Sequence, residues 1–321
     1  MRRRARLRGF GSLLWEAGKG WWNDKAPRLA AALAFYTLLS LAPLLMIVVS
    51  AAGLFVGEDV VRAEIENAFR DTVGAQSVDV VNAVMGRNVT SGTSIVGTVT
   101  GVAVLIFGAS AVFAELQESL NEIWEVSPKP GQALRELVRV RLFSFGLILA
   151  VAFLLLVSLL VTAVLSALGG AVSTRVASGA AYWQVVNIVI GYAVTIGIFA
   201  AIFKVLPDAK VEWRDVWAGA AVTALLFNVG RVLIGVYLGR TSVSESYGAA
   251  GSLVAIIVWV YYSANILFLG AEFTQAYAKK HGSRIVPNGH AVAVPSSAEA
   301  RKLATERAEA EAPDEQETGR A

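Results

Sequence analysis

The sequence predicts an all-α polytopic membrane protein with six transmembrane helices, interfacial amphipathic helices and a disordered C-terminal tail. Hydrophobic residues make up 55% of the 321 residues and charged residues only 17%, whereas soluble domains carry about a quarter charged residues. The charges are also missing from long runs, each of which reaches the roughly 20 residues that a bilayer-spanning helix needs. Basic residues then alternate between rich and poor connections, as the positive-inside rule requires.

The chain divides into a basic, Trp-rich interfacial segment over 1–28, a six-helix transmembrane domain over 29–278 and a tail over 279–321. The predicted spans are Leu29–Gly57, Asn88–Ala114, Leu142–Thr174, Val176–Lys204, Val216–Gly239 and Ser246–Ala271. Basic residues precede the first span, follow the sixth and enrich the second and fourth connections. Both termini are therefore predicted to be cytoplasmic. The arginine-rich start is interpreted as attraction to the lipid bilayer and not as nucleic-acid binding.

Two connections have the pattern of amphipathic helices. In the first outer connection, "EDVVRAEIENAFRD" repeats apolar residues at helical intervals. After the second span, "AELQESLNEIWEV" separates an apolar face from a glutamate-rich face, and the prolines of "SPKPG" end that helix. From about residue 287 the chain is polar and rich in Ala, Glu and Arg, which predicts disorder.

The first span carries a polar stripe in which Tyr36, Ser40 and Pro43 lie at spacings of four and three residues. Pro43 removes one N–H group and leaves the carbonyl of Leu39 without its usual donor. In hydrocarbon that carbonyl must be satisfied by protein or water. The stripe either lines a polar interior on a kinked helix, or it marks a packing kink with hydroxyls bonded to their own backbone.

Arg231 lies within the fifth span, and Asn228 lies on the same helical face. Charged residues inside a span usually face the bundle interior and indicate function. Counted from the cytoplasmic side, Arg231 lies near the level of Pro43, so we expect an anion site formed by Tyr36, Ser40, Pro43, Asn228 and Arg231. The alternative is that the long Arg231 side chain snorkels to the outer interface.

The sixth span places Tyr261, Asn265, Phe268 and Glu272 on one helical face. Asn265 and Glu272 are the candidate gating or coupling residues of the predicted transport path. Each also has a structural interpretation, because Asn265 can hydrogen-bond across helices and Glu272 can serve as an end-cap partner near the interface.

In the second span, Gly97, Gly101 and Gly108 predict a close-packing surface. Packing within the chain and a homo-oligomer through Gly97 and Gly101 are both compatible with it. The chain has no cysteine, and its two histidines, His281 and His290, lie beyond the last span. Disulfides and thiolate metal sites are excluded, and no catalytic residue, metal or cofactor is predicted.

Four segments together resemble the YihY/BrkB family over about residues 10–280. They read "DKAPRLAAALAFYTLLSLAPLLMIV", "FAELQESLNEIWEV", "LFNVGRVLIGVYLG" and "YGAAGSLVAIIVWVYYSANILFLGAEFTQAYA". The resemblance implies a bacterial inner-membrane protein with six spans and both ends inside. Members have been labelled ribonuclease BN by a mistaken association, and this sequence lacks the histidines and acids of a metal-dependent nuclease. The resemblance brings no established catalytic residues.

The leading hypothesis is therefore a non-enzymatic membrane protein that transports or flips a small anionic solute or a lipid. Arg231 and Asn228 would bind the anion, and Asn265 and Glu272 would gate or couple the movement. The alternative is a non-transporting envelope scaffold that holds partners through its interfacial segment, outer helix and tail. A membrane-bound ribonuclease is the least favoured hypothesis.

Overall fold

A computed structural model describes residues 2–73, 77–85, 111–129, 179–240, 251–281 and 285–295, and most of them are helical. The helices are α1 (Arg2–Asn23), α2 (Ala26–Val56), α3 (Glu58–Thr72), α4 (Ser77–Met85), α5 (residues 111–123), α6 (Gly179–Val205), α7 (Trp213–Arg240) and α8 (Gly251–His281). Four short strands accompany them: β1 (Val126–Pro128), β2 (Ala209–Lys210), β3 (Val286–Pro287) and β4 (Ala291–Ala293).

Three of these helices are long and apolar enough to cross a membrane, over Ile188–Val205, Trp213–Tyr237 and Gly251–His281. They coincide with the predicted fourth, fifth and sixth spans. The predicted first span coincides with α2, which remains α-helical through Pro43. Most of the second span and all of the third lie outside the described residues, so six spans stays a prediction.

Helix α8 is central among the described elements, because α1, α2, α4 and α7 all pack against it. Helix α6 packs on α7. Apolar side chains fill two ends of this arrangement. One cluster includes Leu120, Phe203 and Phe268, and the other includes Val81 and Ile256.

Both predicted amphipathic helices are present. Helix α3 covers "EDVVRAEIENAFRDT" and buries Val61, with Ile65 and Phe69 packed against the cluster beside α2 and α8. Helix α5 buries Leu120 and Ile123 in the other cluster. The prediction was correct because both segments repeat apolar residues at helical spacing, which fixes the face that must be buried.

Helices α7 and α8 approach closely through two reciprocal glycine–threonine contacts. A Cβ atom at Gly219 of α7 would overlap Thr274 of α8, and one at Gly270 of α8 would overlap Thr223 of α7. The two threonine hydroxyls donate to their own helices, from Thr223 to the Gly219 carbonyl at 2.8 Å and from Thr274 to the Gly270 carbonyl at 2.7 Å. Small residues permit this approach, which is how apolar helices pack without a hydrophobic driving force.

The prediction of a disordered tail over 279–321 is wrong for its first part. Helix α8 continues to His281, and residues 285–295 form two strands. Strand β4 pairs antiparallel with β1, and β3 pairs antiparallel with β2. We call residues 285–295 the C-terminal clamp, because they join the segment after α5 to the loop before α7. Residues 296–321 lie outside the described residues.

Candidate functional site

The Arg231 side chain is exposed on the surface of α7, next to the exposed Val232 and Leu233. This position differs from the expected interior one. The physical reason is the preceding residue, Gly230, which faces α8 so closely that a Cβ there would overlap Tyr262. Successive residues of a helix are turned by about 100°, so the close contact at Gly230 directs Arg231 away from α8.

The other four residues of the expected anion site are not gathered around Arg231. Asn228 is half-buried, and its amide donates to the Ala224 carbonyl of its own helix at 2.8 Å. Ser40 is fully buried, whereas Tyr36 is exposed. Helices α2 and α7 both pack on α8 and make little contact with each other, so the described residues form no common pocket around the predicted set. Of Pro43 the structure describes only the backbone, which is helical.

A polar line runs along α8. The amide of Asn265 donates to the Tyr261 carbonyl at 2.8 Å, and its Oδ1 atom is buried without a donor among the described residues. Glu272 lies two turns further on and is only 2% exposed. One of its carboxyl oxygens, Oε1, is likewise buried and unpartnered within the described part. The line therefore contains two buried oxygen atoms that could still accept hydrogen bonds.

Glu272 is held at the end of the molecule that carries the turn between α1 and α2. Its other oxygen, Oε2, lies against Gly20 of α1, where a Cβ atom would overlap it. The side chain of Asp24, which is 6% exposed in that turn, is an acidic neighbour of this carboxyl group. The backbone N–H of Asp24 donates to the Gly20 carbonyl at 2.8 Å. This contact was not predicted, because Asp24 and Glu272 are distant in the sequence.

A second polar centre lies at the same end, around the Asp208 side chain, which is 1% exposed. Gln117 and Asn121 of α5 donate to its Oδ2 atom at 3.1 and 3.0 Å, and His290 of the C-terminal clamp lies 2.8 Å from Oδ1. The backbone N–H of Asp208 donates to the Asn121 side chain, and its carbonyl accepts from the backbone of Asn288, both at 2.8 Å. Asp208 thus ties α5, the loop before α7 and the clamp together.

Within the described residues no three histidine, aspartate or glutamate side chains are placed to hold a metal ion. The predicted packing glycines Gly97, Gly101 and Gly108 lie outside those residues. Sequence reasoning missed the close contact of α7 and α8, although "GAAVT" and "GAEFT" carry the same glycine-to-threonine spacing of four.

A sequence profile described as "Virulence factor BrkB" matches residues 17–294. The chain belongs to this family. Among its relatives, a UPF0761 membrane protein of Tolumonas auensis is 28% identical over 286 residues, which cover 84% of this chain and 85% of the relative. A UPF0761 membrane protein of Vibrio vulnificus is 26% identical, with 80% of each protein covered.

A third UPF0761 membrane protein, from Rhodospirillum centenum, is 26% identical over 84% of this chain, which spans only 58% of that relative's length. No solved structure matches this BrkB-family chain. The relatives are named as membrane proteins and the structure contains long apolar helices, so the chain is a membrane protein.

Proposed function

We propose that this BrkB-family protein moves an anionic lipid, or a small anionic solute, across the bacterial inner membrane, with both of its termini on the cytoplasmic side. The observation that carries the proposal is the exposed guanidinium of Arg231 on an apolar helix. Helix α7 has 28 residues and is about 42 Å long, so Arg231 lies about 7 Å beyond its midpoint. That depth is within the hydrocarbon layer, which is about 30 Å thick.

A cation at this depth is costly unless it finds an anion or reaches the interface. Its neighbours Val232 and Leu233 are apolar and exposed. On a membrane-spanning helix such a surface suits lipid, so in this proposal the anion within reach is the phosphate of a phospholipid. A guanidinium binds phosphate through two parallel hydrogen bonds. An anionic lipid is therefore favoured over an enclosed small solute. The proposal includes no catalytic step.

The test is lipid transfer in vesicles of phosphatidylcholine and phosphatidylglycerol that contain a trace of fluorescent phosphatidylglycerol. A membrane-impermeant reductant bleaches the outer leaflet and reports how quickly inner-leaflet lipid appears outside. We expect the protein to accelerate transfer, and Arg231→Gln to slow it at least about tenfold, since a hydrogen bond to a charged group contributes about 1.5–3 kcal/mol. Arg214→Gln is the matched control, because Arg214 is an exposed arginine in the first turn of the same helix.

Transfer that equals that of protein-free vesicles, or that is equally fast in the wild type and Arg231→Gln, contradicts the lipid form of the proposal. Native mass spectrometry of the same purified proteins separates the two substrates. A phospholipid that is retained by the wild type and lost in Arg231→Gln supports the lipid, and a small anion with the same behaviour supports the solute.

The envelope scaffold remains a second candidate, and one observation favours it. At the end where the C-terminal clamp lies, a cavity of about 450 Å³ opens between Trp124, Lys279 and Val294. A mixed apolar and charged recess of this size suits an anchoring side chain of a partner. If the scaffold is correct, Val294→Asp abolishes the capture of partners from the native membrane, whereas Arg231→Gln leaves it unchanged.

A further inference from the structure

The Glu272 carboxyl is buried in an interface between two helices that have different roles. Helix α8 is long and apolar enough to cross the membrane, whereas α1 is the basic, Trp-rich interfacial segment that precedes α2. Leu13 and Ala17 of α1 pack on Phe273, the residue after Glu272. Gly20 of α1 lies against Oε2 of Glu272. Any change in the charge of Glu272 therefore acts directly on the contact between α1 and α8.

The partner of Glu272 in this interface is another acid. Asp24 is only 6% exposed. It follows Gly20 by one helical turn, and Gly20 lies against the Glu272 carboxyl, so two acidic side chains are buried side by side. Two ionised carboxylates buried so close together would repel each other. They can share a hydrogen bond only when one of them holds a proton, because an ionised carboxylate has no hydrogen to donate.

No unpaired positive charge close to Glu272, within the described residues, favours loss of this proton. The charged groups nearest to Glu272, besides Asp24, are Lys279 of the same helix and Glu125 after α5. Lys279 and Glu125 form an ion pair with each other at 3.0 Å, so the lysine is largely neutralised. Helix α7 faces this part of α8 with Gly219 and Thr223, which are uncharged.

Near Asp24, the Glu122 carboxyl of α5 interacts with the charges of Asp24, Arg28, Glu118 and Lys25. Partial burial and the carboxylate of Asp24 raise the pKa of Glu122, although Arg28 and Lys25 oppose the shift. Burial is the larger cause, and repulsion from Asp24 adds to it. An ionised Glu272 would place one more negative charge beside Asp24.

We infer that Asp24 and Glu272 form a proton-binding site that holds α1 on α8, and that loss of this proton releases α1. The site stands on the contacts described above. Its use as the coupling site of transport rests on the proposed function, in which the proton would be the coupling ion. Helix α1 would then move according to the protonation of a residue on a membrane-spanning helix.

Infrared spectroscopy of the purified protein tests the proton directly, because a protonated carboxyl group has a carbonyl band that carboxylates lack. Near neutral pH we expect this band in the wild type, its loss in Glu272→Gln and in Asp24→Asn, and its persistence in Glu125→Gln. Each amide variant keeps a donor for the remaining carboxylate, which protects the fold. A band that is absent from the wild type, or unchanged in both Glu272→Gln and Asp24→Asn, overturns the proton site.

Thiol labelling tests the release of α1. Because the chain has no cysteine, a single introduced cysteine is the only thiol that the reagent can label. Ala17→Cys places a thiol at a position that is 1% exposed against α8, and Gly11→Cys places one on the same helix where nothing lies within 4 Å. We divide the labelling rate of Ala17→Cys by that of Gly11→Cys, because the intrinsic pH dependence of thiol reactivity affects both rates and cancels.

In the otherwise wild-type protein we expect this ratio to rise with pH, by up to about tenfold per pH unit for one released proton. In Glu272→Gln we expect it to be independent of pH. A ratio that is flat in both backgrounds, or that rises equally in both, overturns the release of α1.

Neither measurement requires lipid transfer, so the proton site and the proposed function can fail separately. The coupling is tested in the fluorescent phosphatidylglycerol vesicles, with and without a pH gradient. We expect the gradient to change the transfer rate of the wild type at least about threefold, and not that of Glu272→Gln. If the gradient changes the transfer rate of both proteins equally, Glu272 is not the coupling site. The existence of the proton site is then decided by infrared spectroscopy alone.

Discussion

At the scale of single residues, Asp208 shows how a buried charge is stabilised at the end of this bundle. Both carboxylate oxygens accept hydrogen bonds, from Gln117 and Asn121 on one side and from His290 on the other. Buried charges are tolerated only when they are paired and hydrogen-bonded. All three donors lie far from Asp208 in the sequence, so the carboxylate stabilises contacts that the local sequence does not provide.

We therefore expect Asp208→Ala to lower the free energy of unfolding by about 3 kcal/mol or more, because it leaves buried donors without an acceptor. Thermal unfolding of the purified protein in detergent measures the change. Asp79→Ala is the control, since Asp79 is exposed in α4 and its removal should shift the melting temperature little. Equal melting temperatures for the two variants would show that the Asp208 network does not contribute to stability.

The sequence identified Arg231 and Glu272 as unusual residues, but it did not predict what surrounds them. Arg231 was identified because one charge in an apolar run is a local signal, but the direction of its side chain depends on the close contact of Gly230 with α8. Glu272 was identified for its position at the end of the sixth span. Its partner Asp24 was not, because no local pattern indicates which of the many acids at this end of the molecule a buried glutamate will meet.

At the scale of helices, the interface of α7 and α8 depends on the absence of two side chains. Each glycine makes room for a threonine of the opposite helix, in the pairs Gly219 with Thr274 and Gly270 with Thr223. We expect Gly219→Ala to lower the free energy of unfolding by about 1–3 kcal/mol, as overpacking does. Gly197→Ala on α6 should be neutral or stabilising, since nothing lies within 4 Å of its Cβ position and alanine is the better helix former.

The same interface allows a stricter measurement. Thr274→Ala removes the atoms that the new Cβ at position 219 would overlap, so the double variant Gly219→Ala/Thr274→Ala should regain part of the stability lost in Gly219→Ala. The thermodynamic cycle then has a coupling energy of about 0.5 kcal/mol or more. If the two single changes add without coupling, the two residues do not pack as described.

The helices themselves were largely predictable, because a charge-free run of sufficient length is a sequence property. The fourth and fifth predicted spans, Val176–Lys204 and Val216–Gly239, agree with α6 and α7 to within a few residues. Helix α8 continues from Ala271 to His281, beyond the predicted span, because a helix can continue where hydrocarbon ends. Pro43 does not end α2, although proline removes a helical donor.

At the scale of the whole molecule, the C-terminal clamp was not predictable from composition. A polar segment of this kind cannot bury a core of its own, and disorder is the usual consequence. Residues 285–295 are ordered because two other parts of the chain supply their partners. Strand β4 pairs with β1, β3 pairs with β2, and Asp208 receives both His290 and the backbone of Asn288.

The last prediction follows from this dependence on distant partners. A chain that ends at residue 284 loses the clamp, whereas one that ends at residue 295 keeps both strands and serves as the matched control. In hydrogen exchange we expect faster exchange over residues 117–129 and 206–212 in the shorter chain only, because β1, β2 and the Asp208 network lose their partners. Residues 190–205 of α6 pack mainly on α7 and should exchange equally in both chains. Equal exchange of the two chains at 117–129 would mean that α5 and β1 are held by the helices alone, and that the clamp docks on a preformed surface without stabilising it.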